Sequence, residues 1–227
     1  MNMDISLPQG LLLLSLNDAT GKTENGYYQP ALAGAAIADL MLRGAIELQL
    51  DPQSIIPLRH TLDLGAFLGM CDDAIGGAAK RQDLAYWVSA LGNQKDFIAT
   101  LADELCHLGA LSSEKTRVFG LFTRTVWPEA SPVLETALKQ EMAEAMFAGA
   151  GPIDERLCLT IALTNAVGLL EHNFEAADLA THADRIASIA AGECLTTEAS
   201  DAVITDGNAS IRSANAVADS TTAAIIN

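Results

Sequence analysis

The chain has 227 residues, half of them hydrophobic, with 29 acidic against 13 basic side chains and a formal charge of −16 at pH 7. A nucleic-acid binder must present a basic stripe that displaces phosphate counterions, so this balance argues against one. It argues equally against broad adhesion to anionic membranes, where each nearby Lys or Arg contributes only about 1 kcal/mol, while the length and apolar content suffice for one core-bearing domain over residues 1–227.

The run from Leu11 to Leu16 is apolar but too short to cross a bilayer, which takes about 20 residues, and no basic segment precedes it. Asn17-Asp18-Ala19-Thr20-Gly21-Lys22-Thr23 is a polar turn. Pro30 then opens a predicted helix, because its missing N–H costs nothing at a helix start, and Leu32, Ala35, Ala36, Asp39 and Leu40 keep the three-to-four spacing of one buried face. Small residues at 33–36 allow another backbone to come close. Gly44 supplies the positive-φ residue that closes the helix, with Arg43 in its last turn against the dipole. Residues 46–50, the breaker Asp51-Pro52 and residues 55–58 read as two short strands of a hairpin-like pair.

Helical patterns follow at 64–75, 83–90, 95–108, 132–147, 154–170 and 176–189. Between the third and fourth of these, residues 111–128 are β-branched and aromatic, with Gly120 and then Trp127-Pro128. They predict an extended hairpin projecting from a helical body. Residues 196–213 are small and polar, a long loop, and residues 214–226 read as a last helix. The expected fold class is mainly α: a single compact multi-helix domain with short β-hairpins, one projecting.

Sites of chemistry are sparse. Cys71, Cys106, Cys158 and Cys194 form no CxxC pair, so buried free thiols in a reducing, cytosolic compartment are expected rather than a zinc or redox site. Gly21-Lys22-Thr23 lacks the glycine five positions earlier that a phosphate loop needs, since that position is Leu16. His60, His107, His172 and His182 are scattered, and Glu171, Asp178 and Asp184 lie on a segment that reads as an exposed helical face. Ser15, Ser54, Ser89 and Ser188 lack the flanking glycines of a nucleophile elbow. Gly65-Ala66-Phe67-Leu68-Gly69 reads as close helix packing, and Trp87 with Tyr86 and Val88 as a core anchor. No enzyme activity, cofactor or metal is expected. A rival reading is an enzyme or small-molecule binder with a helical cleft, marked by Asp72 and Asp73 or by Glu171 beside His172.

Three separated motifs, in order, carry a family resemblance. The first is Gly26-Tyr27-Tyr28-Gln29-Pro30 with the apolar helix that stops at Leu42-Arg43-Gly44 and runs into Ile46-Glu47-Leu48. The second is Leu108-Gly109-Ala110-Leu111-Ser112-Ser113-Glu114-Lys115, a helix end leading into the hairpin. The third is Asp154-Glu155-Arg156-Leu157 running into the segment from Ile161 to Phe174. From about Leu11 to about Leu195 the chain resembles the Golgi phosphoprotein 3 family, whose fold is a single mostly helical domain with small hairpins. The resemblance implies a non-enzymatic adaptor, cytoplasmic or peripheral on the cytosolic face of a membrane, that binds lipid and protein partners. The acidic, alanine-rich composition marks a divergent member, of the kind an organism without a Golgi would carry.

In lipid-binding members, a tryptophan and several arginines accept the headgroup of phosphatidylinositol 4-phosphate, because guanidinium forks match phosphate oxygens. Carried over from Arg43-Gly44, the tryptophan position falls on Glu24 and the first arginine on Ala33; from Leu108-Gly109, the paired arginines fall on Lys95 and Ile98. Only Lys95 keeps a positive charge, so the resemblance implies a largely degenerate headgroup pocket and weak phosphoinositide binding. The family's hairpin mediates self-association. Here it carries Val118, Phe119, Leu121 and Phe122 next to Lys115, Arg117 and Arg124. Either these apolar residues meet a partner or they pack on their own helical body.

Overall fold

The computed structural model describes residues 5–23, 28–50, 53–58, 61–118, 122–149 and 151–194. Those residues form ten helices and two two-stranded antiparallel hairpins, the mainly helical class that the periodicity predicts.

The apolar run near the start is the centre of the molecule. It forms helix α1 (Leu7–Ser15), every residue of which is buried, and it touches α2 (Tyr28–Leu42), α5 (Phe97–His107), α6 (Val133–Ala143) and α7 (Glu155–Ala166). A helix that is hydrophobic all round belongs in a core. Leu11, Leu12, Leu13 and Leu14 are sealed there, each burial worth about 1.5–3 kcal/mol relative to exposure. Ser6 and Gln9 start the helix with a capping box: Gln9 N–H donates to Ser6 Oγ at 3.3 Å, and Ser6 N–H to Gln9 Oε1 at 2.8 Å.

Helix α2 lies against α1 with its residues 31–40 all buried, Ala31, Ala33, Ala35 and Ala36 letting the backbones approach. It begins two residues before Pro30 and ends as expected at Gly44, whose φ is +69°. There Gly44 N–H donates to Met41 O at 2.9 Å and Ala45 N–H to Leu40 O at 2.8 Å, the paired bonds of a left-handed helix stop. The chain then pairs β1 (Ile46–Leu50) with β2 (Gln53–Pro57).

The next helices are α3 (Gly65–Gly76), α4 (Leu84–Gly92) and α5. Asp83 accepts from Tyr86 N–H at 2.8 Å and so caps α4, while Asp96, at φ +62°, delays the start of α5 from the expected residue 95 to Phe97. Phe67 and Phe97, with ring centroids 4.9 Å apart, join α3 to α5. The predicted hairpin follows as β3 (Glu114–Val118) and β4 (Phe122–Val126), which pair Glu114 with Val126 and Val118 with Phe122.

Three predicted helices are divided. The 132–147 segment is α6 followed by a π-helical turn, Glu144–Ala148. Gly168, at φ +72°, stops α7 at Ala166 through Leu169 N–H to Thr164 O at 3.0 Å, and α8 (Leu170–Asn173) restarts the chain. His182 separates α9 (Ala176–Thr181) from α10 (Ala183–Ala190). The expected loop at 196–213 and helix at 214–226 lie outside the described residues, among which no helix is long and apolar enough to cross a membrane. All four cysteines are free; Cys71 and Cys158 are buried, and Cys106 and Cys194 are half-buried.

Candidate functional site

The polar centre of the fold is Asp39, which the helical spacing places on the buried face of α2 and which has no exposed surface. Burying a carboxylate is costly unless donors surround it. Asp39 Oδ2 accepts from the backbone N–H of Leu7, the first residue of α1, at 2.6 Å, so the charge also meets the positive end of that helix. Arg43 Nε donates to Oδ1 at 2.7 Å. From α7, Arg156 Nη1 donates to Oδ2 at 3.3 Å and Nη2 to Oδ1 at 3.4 Å, and Nη1 also reaches Ile5 O at 3.2 Å. One carboxylate thus ties together α1, α2 and α7.

Each arginine borders a cleft. The side chain of Arg43, 32% exposed, borders a cleft of about 480 Å³ with Ser6, Gln9, Glu104 and His107. The side chain of Arg156, 37% exposed, borders another of about 380 Å³ with Gly10, Leu138, Glu141 and Thr160. In the larger cleft, Glu104 Oε1 accepts Phe67 N–H at the start of α3, and Oε2 accepts Gln9 Nε2, both at 2.8 Å. Gln9 therefore links the cap of α1 to the cap of α3. His107 Nδ1–H donates to Asp103 O at 2.7 Å.

The residues that the resemblance singles out lie elsewhere. Ala33 is wholly inside the core; the Lys95 side chain is 92% exposed, its Nζ 3.9 Å from the carboxylate of Asp96, which is also exposed; Ile98 is half-buried against the core. None of the three borders either cleft. Glu24 lies outside the described residues. At the hairpin, Val118 and Phe122 form the last pair of the ladder, Phe119 and Leu121 lie outside the described residues, and Lys115, Arg117 and Arg124 are exposed.

The hairpin's base is fixed to the 17–23 turn. Trp127 N–H donates to Gly21 O at 3.1 Å and Glu129 N–H to Asp18 O at 3.0 Å. Gly21 is required there: its φ is +58°, and a Cβ would meet Pro128 N at 2.2 Å. Gly21-Lys22-Thr23 is thus a packed turn, closed by a bridge between Leu16 and Thr23. Beside it, carboxylate oxygens of Asp18, Glu129 and Glu135 lie within 4.8 Å of one another. Burial pushes the Glu135 carboxyl up, and the Lys139 ammonium, in contact with it, pulls it back. These residues are 111 and 117 positions apart along the chain at their widest, Asp18 to Glu129 and Asp18 to Glu135, which hides the cluster from sequence spacing.

The markers of the rival reading border neither of the two larger clefts: Asp73 and Glu171 are exposed and Asp72 is half-buried on α3. The Asp39 arrangement had a sequence signal, a lone acid on an apolar helical face four residues before Arg43, but its second arginine lies 117 residues away. A sequence model of Golgi phosphoprotein 3 (GPP34) matches residues 7–205. A search of curated proteins finds no match.

Proposed function

Because the chain belongs to the Golgi phosphoprotein 3 family, we propose that it is a non-enzymatic peripheral binding protein, one domain over residues 1–227, that works as an adaptor at the cytosolic face of a membrane. The family match across residues 7–205 carries this reading. Within it, recognition of a phosphorylated inositol headgroup is weak. Of the three described positions carried over from the family, Lys95 alone offers a cation, and it stands in solvent beside Asp96. Hydrogen bonds to charged groups contribute roughly 1.5–3 kcal/mol each, so losing two arginine forks costs orders of magnitude in affinity. Self-association through the hairpin around Val118 and Phe122 belongs to the same reading, supported by the exposed Lys115, Arg117 and Arg124 on its strands in an otherwise acidic chain.

A test follows from the burial of these positions. An arginine at Ala33 would place a guanidinium in the core, whereas Ile98 is half-buried and can carry one toward solvent. Ile98→Arg is expected to increase flotation with vesicles containing phosphatidylinositol 4-phosphate and to leave flotation with phosphatidylcholine vesicles unchanged. Equal flotation of the variant and the unmodified chain would count against the carried-over position. One observation favours a second reading, a small-molecule site: the cleft of about 480 Å³ in which Arg43, Glu104 and His107 converge.

A further inference from the structure

The Asp39 network holds more positive charge than negative, since two guanidinium groups meet one buried carboxylate. Arg43 makes the closer bond, at 2.7 Å, and Arg156 the longer ones, at 3.3 and 3.4 Å, so the surplus charge lies mainly on Arg156.

A guanidinium carries five N–H donors, and three bonds engage this one: Nη1 to Ile5 O and to Asp39 Oδ2, and Nη2 to Asp39 Oδ1. These bonds use the end of the fork. Nε–H and the second Nη2–H lie side by side along its other edge, and among the described residues neither has an acceptor. Nε is not sealed from solvent, and the side chain borders the cleft of about 380 Å³. A paired N–H edge matches the two oxygens of a carboxylate or a phosphate.

The remaining walls restrict what that anion belongs to. Ser6, which is 7% exposed, accepts Gln9 N–H and keeps its own hydroxyl hydrogen to donate. Leu7 and Leu138 are buried and Leu157 is half-buried, an apolar surface beside the guanidinium. Glu141 and Asp154 border the same cleft and are exposed; one Asp154 oxygen accepts Leu157 N–H at 2.9 Å. A ligand with negative charge alone would meet two carboxylates, and one with positive charge alone would meet the guanidinium. A phosphate, with up to two negative charges, is the poorer match to one arginine between two acids.

From this order of charges we infer that the cleft beside Arg156 binds a small apolar zwitterion, an amino acid of the leucine type or a short peptide with both ends unmodified. Its carboxylate takes the Nε–H and Nη2–H edge, its side chain lies along Leu138 and Leu157, and its ammonium faces Glu141 and Asp154. The volume lies within the range of small-molecule sites, roughly 300–1,000 Å³.

Isothermal titration calorimetry on the full chain tests the site with leucine, the dipeptide Leu-Leu, N-acetylleucine, leucine amide and inorganic phosphate. Leucine or Leu-Leu is expected to bind, the tighter of the two showing whether the ligand is a free amino acid or a peptide. N-Acetylleucine and leucine amide each lack one charge and are expected to bind at least about tenfold more weakly. Arg156→Met, with its fold checked by circular dichroism, is expected to lose leucine binding. Glu141→Gln combined with Asp154→Asn, which keeps an oxygen for the α7 cap, is expected to weaken leucine and tighten N-acetylleucine, whereas simple damage to the fold would weaken both. The ligand series on the unmodified chain decides the matter if a variant does not fold. No heat with leucine or Leu-Leu at millimolar concentration would overturn the inference, as would N-acetylleucine or phosphate binding as tightly as leucine, or unchanged leucine binding in a folded Arg156→Met.

Discussion

Replacing Asp39 removes the acceptor on which three helices converge. In Asp39→Ala, Leu7 N–H and two guanidinium groups lose their partner inside or at the edge of the core. Removing one side of a buried charge pair costs about 3–5 kcal/mol, because the partners remain desolvated. In a chain of this length that corresponds to a fall in Tm of roughly 6–20 °C. The two arginines are each about one-third exposed, so solvent moderates their individual worth. Arg43→Met and Arg156→Met alone are expected to cost about 1–2 kcal/mol each, since the other arginine still neutralises Asp39. Together they should cost more than their sum, because the double variant leaves the carboxylate buried without any cation. Urea denaturation followed by circular dichroism on the four variants gives the cycle. A loss under about 1 kcal/mol for Asp39→Ala, or strict additivity of the two arginines, would refute the view that this network organises the fold.

Gly21→Ala should destabilise by about 1–3 kcal/mol, since both its φ of +58° and the 2.2 Å approach to Pro128 N exclude a side chain; a neutral result in thermal melts would show that the turn relaxes freely. Stability should fall as pH rises above 9, because a thiol with a folded pKa raised to about 12 keeps its proton after the unfolded thiol, with its ordinary value of 9.0, has lost it. The contribution of Cys71 and Cys158 is therefore fully present below pH 9 and disappears toward pH 12, by up to about 1.4 kcal/mol per pH unit for each thiol. Cys71→Ala should flatten that slope relative to the unmodified chain in urea titrations at pH 8, 9 and 10, and an unchanged slope would sink the claim. Replacing residues 118–122 by a short Gly-Ser turn should lower the mass seen by light scattering if the hairpin joins copies, and the same mass would remove it as an interface.

What could be read from residues alone follows from where the signal lies. Gly44 marks the end of α2 because the stop is a local demand for positive φ, and the β3–β4 pair is visible because Thr116, Val118, Thr123, Thr125 and Val126 favour a strand locally. Helix α1 has no visible period, since Leu11 to Leu14 are apolar on every side; only the Ser6 and Gln9 capping box announces it. Gly168 was an available signal that α7 ends early, but the apolar residues Val167, Leu169 and Leu170 continue the helical pattern across it. The Asp39 network and the Asp18, Glu129 and Glu135 cluster are tertiary, joining residues more than a hundred positions apart, and no local pattern encodes them. The burial of Ala33 is equally a property of packing: alanine is common at surfaces and in cores alike, and only the neighbours of α2 decide.

The most direct measurement is flotation of the unmodified chain at physiological salt with phosphatidylcholine vesicles, with and without phosphatidylinositol 4-phosphate. If the headgroup positions are those proposed above, Ala33, Lys95 and Ile98 among the described residues, a chain of net charge −16 should show little gain from the phosphorylated lipid. Strong, headgroup-specific flotation that Lys95→Ala leaves intact would contradict the account, because the lipid would then be held by basic groups other than the one cation among the proposed positions.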